Sequence, residues 1–174
     1  GAVGLQLREP ARVVPYVDAV FSAIWVEGRN MGDPATAGAV LQAAGSVFSK
    51  EGYAAGTTNR IAERAGVSIG TLYQYFPNKD PIVVALVERH VREANALIER
   101  MLSGPLVAVD AMVRRFVEAM VALHEEDPRL HRMLFEQAPH PAALNEALDH
   151  VEDATIAAIT ALLKAHPDVK VKHP

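Results

Sequence analysis

Cysteine is missing from all 174 residues, which excludes a disulfide framework and thiolate metal sites and gives no sign of an oxidising compartment. Long apolar runs are missing too. The longest, from Val13 to Val26, is interrupted by Pro15, Asp18 and Ser22 and has no small-residue cleavage site after it, and a membrane span needs roughly 20 apolar residues. A cytoplasmic chain with no membrane partner is expected. Positive charge is not in excess either: the formal net charge is −4 and the pI is near 6.0. There is no G-x-S-x-G, no phosphate-binding glycine loop, no G-x-G-x-x-G and no recognisable triad, so an enzyme is not expected. His124, His131, His140 and His150 form no i, i+4 pair with one another, so neither a metal nor another cofactor is expected.

Half of the residues are apolar, and they recur at helical rather than strand spacing. Val14, Val17, Val20 and Ile24 suggest one helix in residues 1–33, an N-terminal extension. Ala37, Val40, Leu41, Ala44, Val47 and Phe48 form the stripe of a helix from about Thr36 to Glu51. A long helix is expected over Asp80 to about Leu102, spanning about 35 Å. Three more follow, at roughly Leu106 to Glu126, Arg129 to Gln137 and Ala142 to Ala165, separated by Asp127-Pro128, Pro139 and Pro141. The fold class is all-α. Residues 34–80 would form one small domain and 81–174 a second.

Thr57 to Lys79 is the most informative stretch. Thr57 and Thr58 can cap a short helix whose inward stripe is Ile61, Ala62 and Ala65. Gly66 sits where a helix ends in a left-handed residue, Val67 anchors the turn, and Ser68 can cap a second helix, about Ile69 to Phe76. Leu72 and Phe76 would face inward, leaving Gly70, Thr71, Tyr73, Gln74 and Tyr75 on the opposite face. Two short helices joined by a fixed turn can place the second in a DNA major groove. Gly70 would allow close approach to a base edge, with Thr71 and Gln74 beside it. Thr58, Ser68, Tyr73 and Tyr75 suit phosphate contacts, Lys79 at a helix start adds a cation, and Arg60 could serve either role.

The pattern T-T-x-x-I-A-x-x-A-G-V-S-x-G-x-L-Y-x-Y-F-x-x-K resembles the N-terminal DNA-binding domain of tetracycline-repressor-like (TetR family) transcription regulators. Thr57-Thr58, Ile61-Ala62, Ala65 to Ser68, Gly70, Leu72-Tyr73, Tyr75-Phe76 and Lys79 stand in register with it. The resemblance implies a three-helix, helix-turn-helix head joined by the long helix to a ligand-binding and dimerisation body. It implies double-stranded operator DNA, a small-molecule effector and a second copy of the chain as partners, and a repressor released by a mainly apolar ligand. An effector cavity between the linking helix and the body would be lined by Leu97, Met101, Met112, Phe116, Met120, His124, Met133 and Phe135. Bodies of this family usually continue into two further helices that build the dimer, so this body is expected to be partial at its C-terminus.

Residues 50–80 carry a net charge of only +1, and residues 81–174 carry −4. The basic arm that usually precedes the first helix is not evident, since Arg8, Arg12 and Arg29 are offset by Glu9, Asp18, Glu27 and Asp33. This balance favours the alternative of a helical ligand-binding or interaction protein that keeps the head but has lost DNA binding.

Overall fold

The computed structural model describes residues 33–102 and 107–169, and the helix expected between Val14 and Ile24 lies outside them. The described residues form helices without a strand. Helix α1 runs Pro34–Ala55, α2 Thr58–Ala65, α3 Ile69–Tyr75 and α4 Asp80–Leu102. The body adds α5 at Val109–Glu125, α6 at Pro128–Arg132, a π-helical turn at Met133–Gln137 and α7 at Ala142–Ala165.

Helix α1 is where the core condenses. Its inward face of Ala37, Val40, Ala43, Ala44, Val47 and Phe48 is buried, and its small side chains let other helices come close. Helices α2, α4, α6 and the π-helical turn all pack on α1. Ile61 and Ala62 from α2, Leu72, Tyr75 and Phe76 from the α3 region, and Ile82, Val83 and Leu86 from α4 complete one cluster with Met133, Leu134 and Leu144. The segment 128–137, assigned to the body by its sequence, is thus also part of the floor beneath the head.

Helix ends follow side-chain chemistry. Asp33 caps α1 by accepting from the Ala35 and Thr36 amides at 3.1 and 3.2 Å, and these bonds hold its carboxyl below the ordinary range. The helix expected to end near Glu51 kinks at Gly52, with φ of 77°, and one further turn continues to Ala55. Gly56 is enforced by space. A Cβ there would lie 2.6 Å from Phe48 Cδ1 and 2.9 Å from the Gly52 carbonyl oxygen. The last long helix begins and ends where its apolar stripe predicts, and so does α4.

The lower body is more open. Helix α5 buries Met112, while Val113, Val117 and Val121 on a single stripe are about half exposed. Helix α7 joins the core through Leu144, Leu148 and Val151 near its start. Its far end is tied by His166, whose Nε2–H donates to the Val107 carbonyl at 2.8 Å while Nδ1 accepts from the Asp168 amide at 3.2 Å.

Candidate nucleic-acid interface

Helix α2 starts at Thr57, whose hydroxyl accepts from the Arg60 amide at 3.3 Å. It ends at Gly66 in the left-handed region, φ 70° and ψ 25°, the conformation that costs glycine least. The Val67 amide reaches back to the Ala62 carbonyl at 3.0 Å, a Schellman ending that fixes the direction of the turn. Ser68 then caps α3 by accepting from the Thr71 amide at 3.0 Å, and its hydroxyl also pairs with that of Thr71 at 2.8 Å. With Leu72 and Phe76 fully buried beneath it, α3 is held rigidly on the head.

The outward face of α3 carries Gly70, Tyr73 and Gln74, all exposed, with Thr71 half-buried beside them. The Thr58 and Tyr73 hydroxyls meet at 3.1 Å across the α2–α3 angle, so two expected phosphate ligands form one polar pair. Asn78 accepts from the Asp80 amide at 2.9 Å and starts α4.

Three expected contacts are arranged differently. Tyr75 does not share the outward face: it is buried, and its hydroxyl accepts from the Asp33 amide at 3.0 Å. The reason is local. Tyr75 lies three residues after Leu72, on the same side of a helix, and α3 ends there because Phe76 is extended. Lys79 turns inward, donating to the Tyr53 carbonyl at 2.7 Å with its ammonium 4.0 Å from the centre of the Tyr53 ring. The Tyr53 hydroxyl in turn bonds Asp80, and burial first, then this carboxylate, pushes the phenol up to about 12. Arg60 forms an ion pair with Glu51 at 2.5 Å but stays exposed, and that carboxylate raises its pKa. Lys79 therefore staples α1 to α4, and Arg60 is partly neutralised.

A second site lies where head and body meet. An open cleft of about 360 Å³ is lined by Gln42, Ser46, Lys50, His90, Glu93 and His131, among others. Its floor joins the two parts: Ser49 of α1 donates to Asp127 at 2.8 Å, and Asp127 caps α6 through the Leu130 amide at 3.0 Å. Of the eight residues expected to line an effector cavity, the seven whose side chains are described do not border this cleft. Met112 and Met133 are buried core, Leu97, Phe116, Met120, His124 and Phe135 are half-buried, and the Met101 side chain lies outside the described ones. The cleft is mixed polar and apolar where an apolar cavity was expected.

Beside it stand three imidazoles that sequence patterns did not unite. His90 of α4, His124 at the end of α5 and His131 of α6 have ring centres 4.7 to 5.2 Å apart. Phe135 packs against two of them. Burial first, then the charges of His131, His124 and Arg89, pushes His90 down to about 4. Burial and His124 also lower His131, with Glu136 opposing. The only sequence clue was the pairing of His124 and His131 across the Asp127-Pro128 turn; His90 is 34 residues before His124 and gives none.

Comparisons with known proteins place the head and the body in one family. Residues 40–86 match the family described as "Bacterial regulatory proteins, tetR family", and residues 109–173 match "Tetracyclin repressor-like, C-terminal domain". The chain is 35% identical over 105 residues to the HTH-type transcriptional activator FasR of Mycolicibacterium smegmatis, covering 57% of this chain and 45% of the relative. It is 37% identical over 84 residues to the HTH-type transcriptional repressor KstR of the same organism, covering 47% and 41%. The chain thus spans less than half the length of these relatives. The solved structure of the fatty acid degradation regulator FadR from Bacillus halodurans shares the fold, with a TM-score of 0.56 and 23% identity over 74% of this chain and 69% of that one. With its head and its body each matched and its helices folded in the order they require, the chain belongs to the tetR family of bacterial regulatory proteins.

Proposed function

We propose that this chain is a one-component transcription regulator that reads palindromic operator DNA as a homodimer. The observation that carries the proposal is the outward face of α3, where Gly70, Thr71, Tyr73 and Gln74 stand on a helix fixed by a glycine turn, a serine cap and a buried underside. Gln74 and Thr71 approach base edges, with Gly70 giving room, while Thr58, Tyr73 and Ser68 offer hydroxyls to phosphates. Lys79 and Tyr75 support this face from within, and Arg60 stays at its margin. Two such heads on successive major grooves lie about 34–36 Å apart.

Little net charge is available to this interface, so affinity rests on hydroxyls, backbone amides and the second head. The exposed valine stripe of α5 supports self-association. A small, mainly apolar effector enters between α4 and α5, which pack together and hold Leu97, Phe116 and Met120 half-buried. Its binding repositions the heads and releases the operator, which makes repression the simpler sense of control. The matched relatives carry both senses in their names, so the head itself does not decide it.

One observation favours a second reading, a helical interaction protein without DNA binding: Arg60 and Lys79 are both engaged within the protein. Fluorescence anisotropy on the DNA flanking its own gene separates the two. Saturable binding of two chains per site, tighter than to random DNA, is expected. No binding even at low salt would establish the second reading.

A further inference from the structure

We propose that His90, His124 and His131 bind one divalent transition-metal ion, with the cleft side of the ion left open to water or to an effector carboxylate. The three side chains come from α4, α5 and α6, and one potential ligand atom of each lies within 4.8 Å of the others. A tetrahedral ion at about 2.0–2.1 Å from each nitrogen needs them about 3.4 Å apart. Closing the remaining gap of up to about 1.4 Å draws the three side chains, and the helices that carry them, toward one another.

The surroundings are those of a ligand set. His124 Nδ1 lies 2.7 Å from the Met120 carbonyl, so Nδ1 carries the proton and Nε2 keeps its lone pair. A ring nitrogen donating to a backbone carbonyl is the usual way a metal-binding histidine is oriented. All three residues are half-buried, and among the described residues no hydrogen bond occupies a ring nitrogen of His90 or His131. Three imidazoles this close repel one another when protonated and share a single dication well. Glu93, Glu126 and Asp127 line the adjoining cleft together with Lys50, and Glu93 pairs with Arg89 at 3.9 Å. Asp127 is already committed to Ser49 and the start of α6. Three nitrogen ligands with no cysteine suit zinc, nickel or cobalt.

The placement has a regulatory consequence, which alone rests on the DNA-binding reading. Helix α4 carries the head, and α6 packs on α1, where Leu130 Cδ2 sits 3.4 Å from the position of a Cβ at Gly45. An ion that draws α4, α5 and α6 together therefore sets how the head leans on the body.

The test uses the untagged chain, Co²⁺ and Zn²⁺, and no DNA, so its outcome is independent of operator binding. One Co²⁺ per chain is expected, with visible absorption of a low-symmetry nitrogen site that Zn²⁺ abolishes. His124→Gln and His131→Gln should each weaken Zn²⁺ binding by at least about tenfold, whereas His150→Gln leaves it unchanged. Histidine NMR of the unsubstituted protein should show the ring signals of these three residues shifting with Zn²⁺, which guards against variants that misfold. Absence of one-to-one binding, equal losses in His150→Gln, or unshifted ring signals would overturn the site and leave the histidines as aromatic packing around Phe135.

Discussion

Helices α1 and α5 both carry apolar residues every three to four positions, yet they bury them very differently. The stripe of α1 is enclosed from several sides, whereas α5 buries Met112 and leaves Val113, Val117 and Val121 about half exposed. The difference lies in their neighbours. Ala37, Ala43, Ala44 and Gly45 allow four other elements to close on α1, while α5 meets α4 on one side and faces outward on the other. Among the described residues, eight of the ten largest fully buried side chains lie between residues 40 and 86. The head is thus a rigid mount for α3, and α5 leaves an apolar stripe exposed.

The sharpest way to break this contrast is to remove Phe48, which is 1% exposed. Phe48→Ala should cost about 3–5 kcal/mol in denaturant unfolding, against about 0.5 kcal/mol or less for Val117→Ser on α5. Comparable losses would mean that the body is as enclosed as the head. A smaller effect is expected at Lys79. If its ammonium staples Tyr53, Lys79→Ala lowers stability by about 1 kcal/mol. A phosphate ligand would instead leave stability intact and cut the salt slope of DNA binding by about one unit.

Acid should loosen the joint between the two parts. Unfolded, His90 takes up a proton near pH 6.5; folded, it does so near 4. Between these values the unfolded chain binds more protons, so the contribution is complete above about pH 6.5 and is lost as the pH falls toward 4. Burial is the larger cause, and positive charge on the groups that face His90, which are His131, His124 and Arg89, adds to this penalty. Thermal unfolding followed from pH 7 to 4.5 should show His90→Gln with a flatter pH dependence than the unsubstituted chain. Parallel curves would mean that His90 is not the group responsible.

The head was largely legible because its signals are local. Gly66, Ser68 and Asn78 act within four residues of themselves, and the bounds of α4 follow from Asp80 and the stripe behind it. Tyr75 was misplaced by assigning it to the face opposite Phe76, when its three-residue spacing from Leu72 already pointed inward. Lys79 and Arg60 read as free cations because their partners, Tyr53 and Glu51, belong to a different helix. The histidine trio and the floor formed by α6 under α1 depend on how distant helices meet, which periodicity does not encode. The π-helical turn at 133–137 likewise leaves no mark on an apolar pattern.

The central claim is that the outward face of α3 reads sequence while the residues beneath it only hold it. Gln74→Ala measured by anisotropy on specific and random DNA tests this most directly. The specific-to-random affinity ratio should fall by about 1–3 kcal/mol, with random binding unchanged. Equal losses on both DNAs, or none on either, would contradict it.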